Sequence, residues 1–147
     1  MALSKLDNLY RAVILDHSHH PHHHGKLEGE IPLELSNPTC GDVIYLTLKI
    51  ENNIITDIAF DGNGCSISTA SASIMTDAVV GKTIEEINHL AEDFSLLVTG
   101  VEVENTKGKF GDGAMLAGVS KFPQRVKCAT LSWNALKKAL ELNEKNR

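Results

Sequence analysis

The sequence has few aromatic residues, few cysteines and no long apolar run. Aromatic residues make up only 5% of the 147 positions, so the core must consist mainly of Leu, Ile, Val and Ala. The net charge of -5 argues against nucleic acid, which asks for a basic surface. No apolar run approaches the roughly 18 residues of a membrane helix, and the N-terminus lacks the blocks of a signal peptide. We therefore expect a cytoplasmic protein that binds neither nucleic acid nor a membrane.

Cysteine is scarce and its spacing is wide. The three cysteines stand at positions 40, 65 and 128, and no two of them form a CxxC pair. An odd number at this spacing argues against a secreted disulfide scaffold. In a reducing compartment the remaining interpretations are buried inert thiols, a reactive thiol or metal ligands, and composition alone does not choose among them.

The first half of the chain predicts a helix and then three strands. Apolar residues at helical spacing indicate a helix from Ser4 to His17, and a loop rich in histidine follows over 18–25. Alternation of apolar and polar residues predicts strands over 31–35, 43–50 and 54–60, and Asn52-Asn53 can close a tight hairpin. On the third strand we expect one face to carry Ile54, Ile58 and Phe60.

The second half predicts only helices. Helical patterns cover 66–80, 83–99 and 114–121, and a last amphipathic helix contains Val126 to Leu140. Glycines make 105–113 a predicted loop. Because no βαβ alternation is present, we expect an α+β fold in one domain spanning 1–147. Its small three-stranded antiparallel sheet should have helices packed mainly on one face.

The cysteines fall at the ends of predicted elements, where functional sites tend to be built. Cys40 and Asp42 lie on a loop between two strands, Cys65 follows a flexible turn and opens a helix, and Cys128 falls in the first turn of the last helix. A nearby helix N-terminus lowers a thiol pKa and so favours the thiolate that binds metal. Three thiolates and one carboxylate suit a tetrahedral zinc ion. Buried inert cysteines remain the alternative on these grounds.

Three segments around these cysteines resemble the motifs of U-type iron–sulfur cluster assembly proteins. They are Pro38-Thr39-Cys40-Gly41-Asp42, Asp61-Gly62-Asn63-Gly64-Cys65-Ser66-Ile67-Ser68 and Arg125-Val126-Lys127-Cys128, and the Tyr10–His17 stretch also resembles the start of that family. The scaffold branch usually carries a His before the third cysteine, whereas this chain has Lys127. It also has a Leu-Pro-Pro-Val-Lys segment, whereas this chain has Phe122-Pro123-Gln124-Arg125. The resemblance is therefore to the SufU branch.

The resemblance implies a zinc-dependent sulfur acceptor that serves a cysteine desulfurase of the SUF pathway. Zinc would be held by Cys40, Asp42, Cys65 and Cys128, and Cys40 would accept the persulfide sulfur as a sulfurtransferase does. Arg125 and Lys127 would neutralise the negative charge of the site, and SUF scaffold components would act downstream. The alternative is a scaffold that builds a transient iron–sulfur cluster on the same ligands. A third interpretation is an interaction module that zinc merely stabilises.

Six of the seven histidines fall between His17 and His24. Their number suggests a second metal site. The competing interpretation, which we favour at this point, is a solvated loop with incidental affinity for nickel or zinc.

Overall fold

The computed structural model describes the backbone of residues 5–37 and 41–145, and the side chains of 8–37 and 41–143. In these residues the chain forms a first helix, three strands and four further helices. Their bounds are α1 Lys5–His19, β1 Leu33–Asn37, β2 Asp42–Glu51, β3 Ile54–Asn63, α2 Ser66–Val79, α3 Ile84–Val98, α4 Thr106–Phe110 and α5 Val126–Lys145. Between α4 and α5 lie two 3₁₀ segments, Gly111–Lys121 and Pro123–Arg125.

The three strands form one antiparallel sheet in the order β1-β2-β3. Asn52 and Asn53 connect β2 to β3 with φ values of 52° and 66°. Left-handed backbone at both central residues is what a two-residue hairpin turn requires, and Asn tolerates it well. The predicted hairpin is confirmed.

A β-bulge changes which residues of β3 face the core. Lys49 pairs with Asp57, but the next residue of β2, Ile50, pairs with Ile55, so Thr56 is an extra residue on β3. Ile55 is therefore fully buried together with Ile58, while Ile54 is only half-buried. The prediction for Ile54 was wrong because a strict period of two does not survive a bulge.

Helices α2 and α5 contact the sheet, α1 packs on α2, and α3 packs on α5. A cluster of three aromatic rings fills the space beneath α3: Phe94 stacks on Trp133 at a centroid distance of 4.9 Å, and Phe110 lies 5.7 Å from Phe94 and 6.1 Å from Trp133. The α+β architecture with a three-stranded antiparallel sheet is confirmed.

Three boundaries differ from the predictions at positions that matter for the sites. Helix α1 continues through Ser18 to His19, which the prediction had placed in a loop. The first strand is Leu33–Asn37, and Ile31, predicted to belong to it, is 92% exposed. Strand β3 extends to Asn63, because Gly62 pairs with Ile44 and Asn63 pairs with Val43.

The predicted loop over 105–113 contains α4 and the start of a 3₁₀ segment. Two contacts explain the order of this segment despite its glycines: Phe110 is buried in the aromatic cluster, and Lys109 forms an ion pair with Asp93 at 2.8 Å. Long-range contacts of this kind override local propensity.

Across the described part of the chain, none of the helices combines the length and the apolar character that crossing a membrane would require.

Candidate metal centre

Asp42 supplies a buried carboxylate at the start of β2. The prediction of a loop position was wrong: Asp42 pairs with Asn37 of β1 and is only 2% exposed. Its Oδ1 accepts a hydrogen bond from the backbone N–H of Cys65 at 3.0 Å. The carboxylate therefore joins the start of β2 to the start of α2.

Cys65 is the N-cap residue of α2, which confirms its predicted place at the start of a helix. Its Sγ accepts a hydrogen bond from the backbone N–H of Ser68 at 3.4 Å and lies 3.9 Å from Asp42 Oδ2.

Glycines hold Cys65 close to β2. A Cβ built at Gly62, where φ is +139°, would lie 2.1 Å from the carbonyl oxygen of Val43, and one at Gly64 would lie 3.2 Å from Asp42 Oδ1. At Gly62 only glycine allows the backbones of β3 and β2 to approach this closely, whereas at Gly64 the nearby atoms belong to the side chains of Ser68 and Asp42.

Cys128 is the third residue of α5 and is fully buried, which agrees with the predicted first-turn position. One ligand atom each from Asp42, Cys65 and Cys128 lies within 4.8 Å of the others, and we call this group the thiolate cluster. Tetrahedral zinc bonded to sulfur and oxygen separates its ligand atoms by roughly 3.5–3.8 Å, from bond lengths of about 2.0–2.3 Å. The residues therefore fit zinc after a closure of about 1 Å.

The predicted fourth ligand, Cys40, lies outside the described residues. Both flanks of the segment that carries it are described. The backbone N–H of Gly41 donates to the carbonyl oxygen of Asn37 at 2.8 Å, and Gly41 adopts a φ of +73°. The chain thus enters and leaves this segment beside the thiolate cluster.

Two predicted cations lie on different sides of the cluster. Arg125 and Lys127 are both exposed. Lys127 lines a surface groove with Asn37 and Thr130, on the side of β1. Arg125 lies near Tyr10, since its charge lowers the pKa of that phenol.

Tyr10 is a neighbour of the thiolate cluster that the sequence interpretation did not single out. Its ring stacks on Phe122 at a centroid distance of 6.4 Å. Burial raises its pKa, the charge of Cys65 acts in the same direction, and Arg125 opposes both. The sequence signal was present, because Tyr10 begins the stretch that resembles the start of the U-type family.

A second group of potential ligands lies away from the cysteines. One ligand atom each from His17, His22 and Asp77 lies within 4.8 Å of the others, and we call this group the histidine cluster. His17 is only 5% exposed, so the interpretation of a solvated histidine loop is wrong for this residue. Asp77, in the last turn of α2, was not predicted to take part in any site.

Burial lowers the pKa of His17, and the neighbouring His22 acts in the same direction. Three carboxylates oppose these effects: Asp77, Asp16 and Asp112. The histidine cluster therefore lies in an acidic surrounding that includes a residue from the 3₁₀ segment after α4.

Taken together, the fold and the thiolate cluster define an α+β protein with a candidate metal centre of one carboxylate and two thiols. Residues 9–143 match the family described as the NifU-like N terminal domain. The chain belongs to this family.

Two relatives cover nearly all of the chain. It is 60% identical to the iron–sulfur cluster assembly scaffold protein IscU of Streptococcus pyogenes serotype M1, over 96% of this chain and 88% of that protein. It is 48% identical to the zinc-dependent sulfurtransferase SufU of Bacillus subtilis, over 96% of this chain and 95% of that protein.

Solved structures have the same fold. One is the structure of a protein from Fervidobacterium islandicum AW-1 that is described as an iron–sulfur cluster assembly scaffold protein for the SUF system. It superposes with a TM-score of 0.80 at 31% identity, covering 88% of this chain and 95% of that one. The N-terminal part of a nitrogen-fixing NifU-like protein from Brucella abortus superposes with a TM-score of 0.86 at 21% identity, over 98% of this chain and all of that one. The second likeness concerns the fold alone.

Proposed function

We propose that this protein acts in iron–sulfur cluster assembly as a zinc-dependent sulfur acceptor, with Cys40 taking persulfide sulfur from a cysteine desulfurase. Zinc would be held by Asp42, Cys65 and Cys128 together with Cys40. The observation that carries the proposal is the convergence of one carboxylate and two thiols within 4.8 Å, at the ends of three separate elements. The relative named as a zinc-dependent sulfurtransferase supports the same function.

The donor set favours zinc over the harder cations. Two sulfurs and one carboxylate oxygen are ligands that zinc accepts in a tetrahedral site, whereas magnesium and calcium prefer oxygen alone. When bound, zinc keeps its cysteine ligands deprotonated at neutral pH.

The other side chains of the cluster have positions that suit holding the ion. Cys128 is fully buried and Asp42 nearly so, and both lie in regular secondary structure, in α5 and β2. Cys40 lies on the segment that joins β1 to β2, next to a glycine with left-handed backbone. We therefore assign the exchange chemistry to Cys40 and the retention of the ion to the other three residues.

The proposed transfer is an ordinary thiolate–disulfide type of exchange. The Cys40 thiolate attacks the terminal sulfur of the desulfurase persulfide and forms a new sulfur–sulfur bond. The sulfur–sulfur bond of the donor breaks, and the desulfurase cysteine leaves as a thiolate. One sulfur atom changes carriers and no external oxidant or reductant is consumed. Downstream SUF components would then receive the sulfur from Cys40.

A scaffold function is the second candidate. It is favoured by the relative that is 60% identical and named as an iron–sulfur cluster assembly scaffold protein. Under this function the four residues hold a transient iron–sulfur cluster as cargo. Lys127, which stands where the scaffold branch has His, favours the sulfur acceptor.

The deciding experiment supplies the zinc-loaded protein to a cysteine desulfurase with radiolabelled cysteine. We expect faster desulfurase turnover and label on Cys40, found by peptide mapping without reductant. Cys40→Ser should abolish the label. Normal labelling of that variant would overturn the assignment.

A second variant tests whether sulfur acceptance depends on the bound metal. Asp42→Asn removes the anionic ligand but keeps an oxygen that can accept from the Cys65 N–H. We expect this variant to fold, to lose zinc and to accept little sulfur.

The scaffold function is the correct one if the unchanged protein does not accelerate desulfurase turnover and a labile iron–sulfur cluster forms on it once iron is added.

A further inference from the structure

The histidine cluster draws its ligands from three different segments of the chain. His17 belongs to α1, His22 to the segment that follows it, and Asp77 to the last turn of α2. Cys65 and Asp77 stand at opposite ends of α2, twelve residues and therefore roughly 18 Å apart along the helix. The cluster is thus separate from the thiolate cluster.

One buried hydroxyl holds both histidines in place. Ser73 Oγ is hydrogen bonded to His17 Nδ1 at 2.7 Å and accepts the backbone N–H of His22 at 2.8 Å. The two imidazole rings are 4.7 Å apart between centroids. Since Nδ1 of His17 is engaged by Ser73, Nε2 is the nitrogen of that ring that remains for a ligand. Such outer hydrogen bonds are what fix the tautomer of a metal-binding histidine.

Asp77 is positioned by the two histidines that follow α1. One of its oxygens, Oδ2, is hydrogen bonded to His22 Nδ1, and the other, Oδ1, lies 3.5 Å from His23 Nδ1. His23 is itself anchored, because its Nδ1 is 2.9 Å from Thr76 Oγ1. The carboxylate is therefore oriented towards the imidazoles before any ion binds.

A cavity of about 310 Å³ opens beside the cluster and gives an ion access to it. The segment 107–112 forms its opposite wall and contributes the carboxylate of Asp112. Lys109 also lines this cavity, but its ammonium group is paired with Asp93 at 2.8 Å. The space is ample for an ion with water on its open side, since one water occupies about 30 Å³.

From this geometry we propose that His17, His22 and Asp77 form a second metal site, which binds a divalent transition-metal ion of the zinc, nickel or cobalt type. Two imidazole nitrogens and one carboxylate oxygen are ligands that such ions prefer, whereas magnesium and calcium favour all-oxygen sites. The ion takes the place of the proton between His22 and Asp77, and its remaining position faces the cavity. This site does not depend on the proposed sulfur transfer.

The test measures metal stoichiometry on the full chain by equilibrium dialysis with Co²⁺ and with Zn²⁺. We expect two tightly bound equivalents in the unchanged protein. His22→Ala and Asp77→Asn should each remove one equivalent, weakening that site by more than about 100-fold, because loss of a mere outer hydrogen bond costs about 10–100-fold. Both side chains are about half exposed, so these variants should fold.

The matched control is His20, which follows the last residue of α1 and has a side chain that is 81% exposed, with its Nδ1 3.8 Å from Asp16 Oδ1. His20→Ala should keep both equivalents. Cys128→Ser should lose the equivalent that shows thiolate-to-cobalt charge-transfer absorption and keep the other. A single equivalent in the unchanged protein, or a second equivalent that survives His22→Ala and Asp77→Asn, would overturn the proposal.

Discussion

The thiolate cluster and the histidine cluster gather their side chains in different ways. In the first, Asp42, Cys65 and Cys128 stand at the beginnings of β2, α2 and α5, and backbone N–H groups orient two of them. In the second, His17 and Asp77 come from the last turns of α1 and α2, His22 comes from a connecting segment, and the Ser73 hydroxyl holds both histidines. The starts of strands and helices follow from local sequence, whereas contacts made through Ser73 depend on how α1 packs on α2.

This difference also predicts how much each site stabilises the fold. The thiolate cluster joins the sheet to two helices and two of its three members are buried, while two members of the histidine cluster are about half exposed. An ion at the thiolate cluster should therefore stabilise the fold more than an ion at the histidine cluster.

The largest expected effect comes from stripping metal. Zinc at about 1,000 times its dissociation constant stabilises the folded state by about 4 kcal/mol. For a chain of this size we expect a strong chelator to lower the melting temperature by roughly 10 °C without unfolding the core. Calorimetry of zinc-loaded and stripped protein measures it. On removal of zinc, the melting temperature of His22→Ala should fall nearly as far as that of the unchanged protein, whereas that of Cys128→Ser should fall only slightly. A melting curve unaffected by verified removal of zinc would contradict the comparison.

Much of the thiolate cluster was predictable because its positions follow from local rules. Cys65 and Cys128 stand at helix starts that periodicity marks, and α3 begins with a capping box between Thr83 and Glu86. The hairpin at Asn52-Asn53 also follows from backbone preference alone. The extension of β3 through Gly62 did not, since a glycine between polar residues looks like a turn until its pairing with Ile44 is known.

The histidine cluster was not predictable in the same way. The contact of His17 with Ser73 joins residues 56 positions apart, and that of His22 with Asp77 joins residues 55 apart. No local pattern distinguishes Asp77 from other acidic residues on a helix surface. Six histidines in a short segment indicated metal affinity, but only the packing of α1 on α2 selects which of them converge.

The next effect in size is expected at Gly62, which affects only the thiolate cluster. Alanine there places Cβ against the Val43 carbonyl oxygen, at 2.1 Å before relaxation, and keeps a strained φ of +139°. We expect a loss of about 1–3 kcal/mol in unfolding free energy, measured with urea, together with weaker zinc binding at Cys65. Gly29→Ala is the control, since φ there is +80° and no atom lies within 4 Å. Equal losses in both variants would show that backbone strain alone, and not the approach of β2 to Cys65, sets the cost.

The smallest expected effect concerns Glu86, which lies away from both clusters and provides a control for pH effects that do not involve metal. The backbone N–H of Thr83 donates a hydrogen bond to the Glu86 carboxylate. This bond is the largest cause, and the Thr83 hydroxyl the second, of a Glu86 pKa that is lowered from 4.5. A carboxyl with a lowered pKa in the folded state stabilises it above the unfolded value, and that contribution is lost as pH falls through the folded value.

As pH falls below 4.5, the unchanged protein without metal should therefore lose more stability than the Glu86→Gln variant without metal. Urea unfolding at several pH values measures this difference. As pH falls, metal-loaded protein should begin to lose stability at a higher pH than metal-free protein does, because protons compete with the ion for the cysteine and histidine ligands. Glu86→Gln should leave that second, metal-linked loss unchanged. Cys128→Ser and His22→Ala should each remove one part of it, with the larger part belonging to the buried thiolate cluster. If Glu86→Gln instead altered the metal-linked loss, the capping box and the metal sites would be coupled, and the two clusters could not be compared as independent sites.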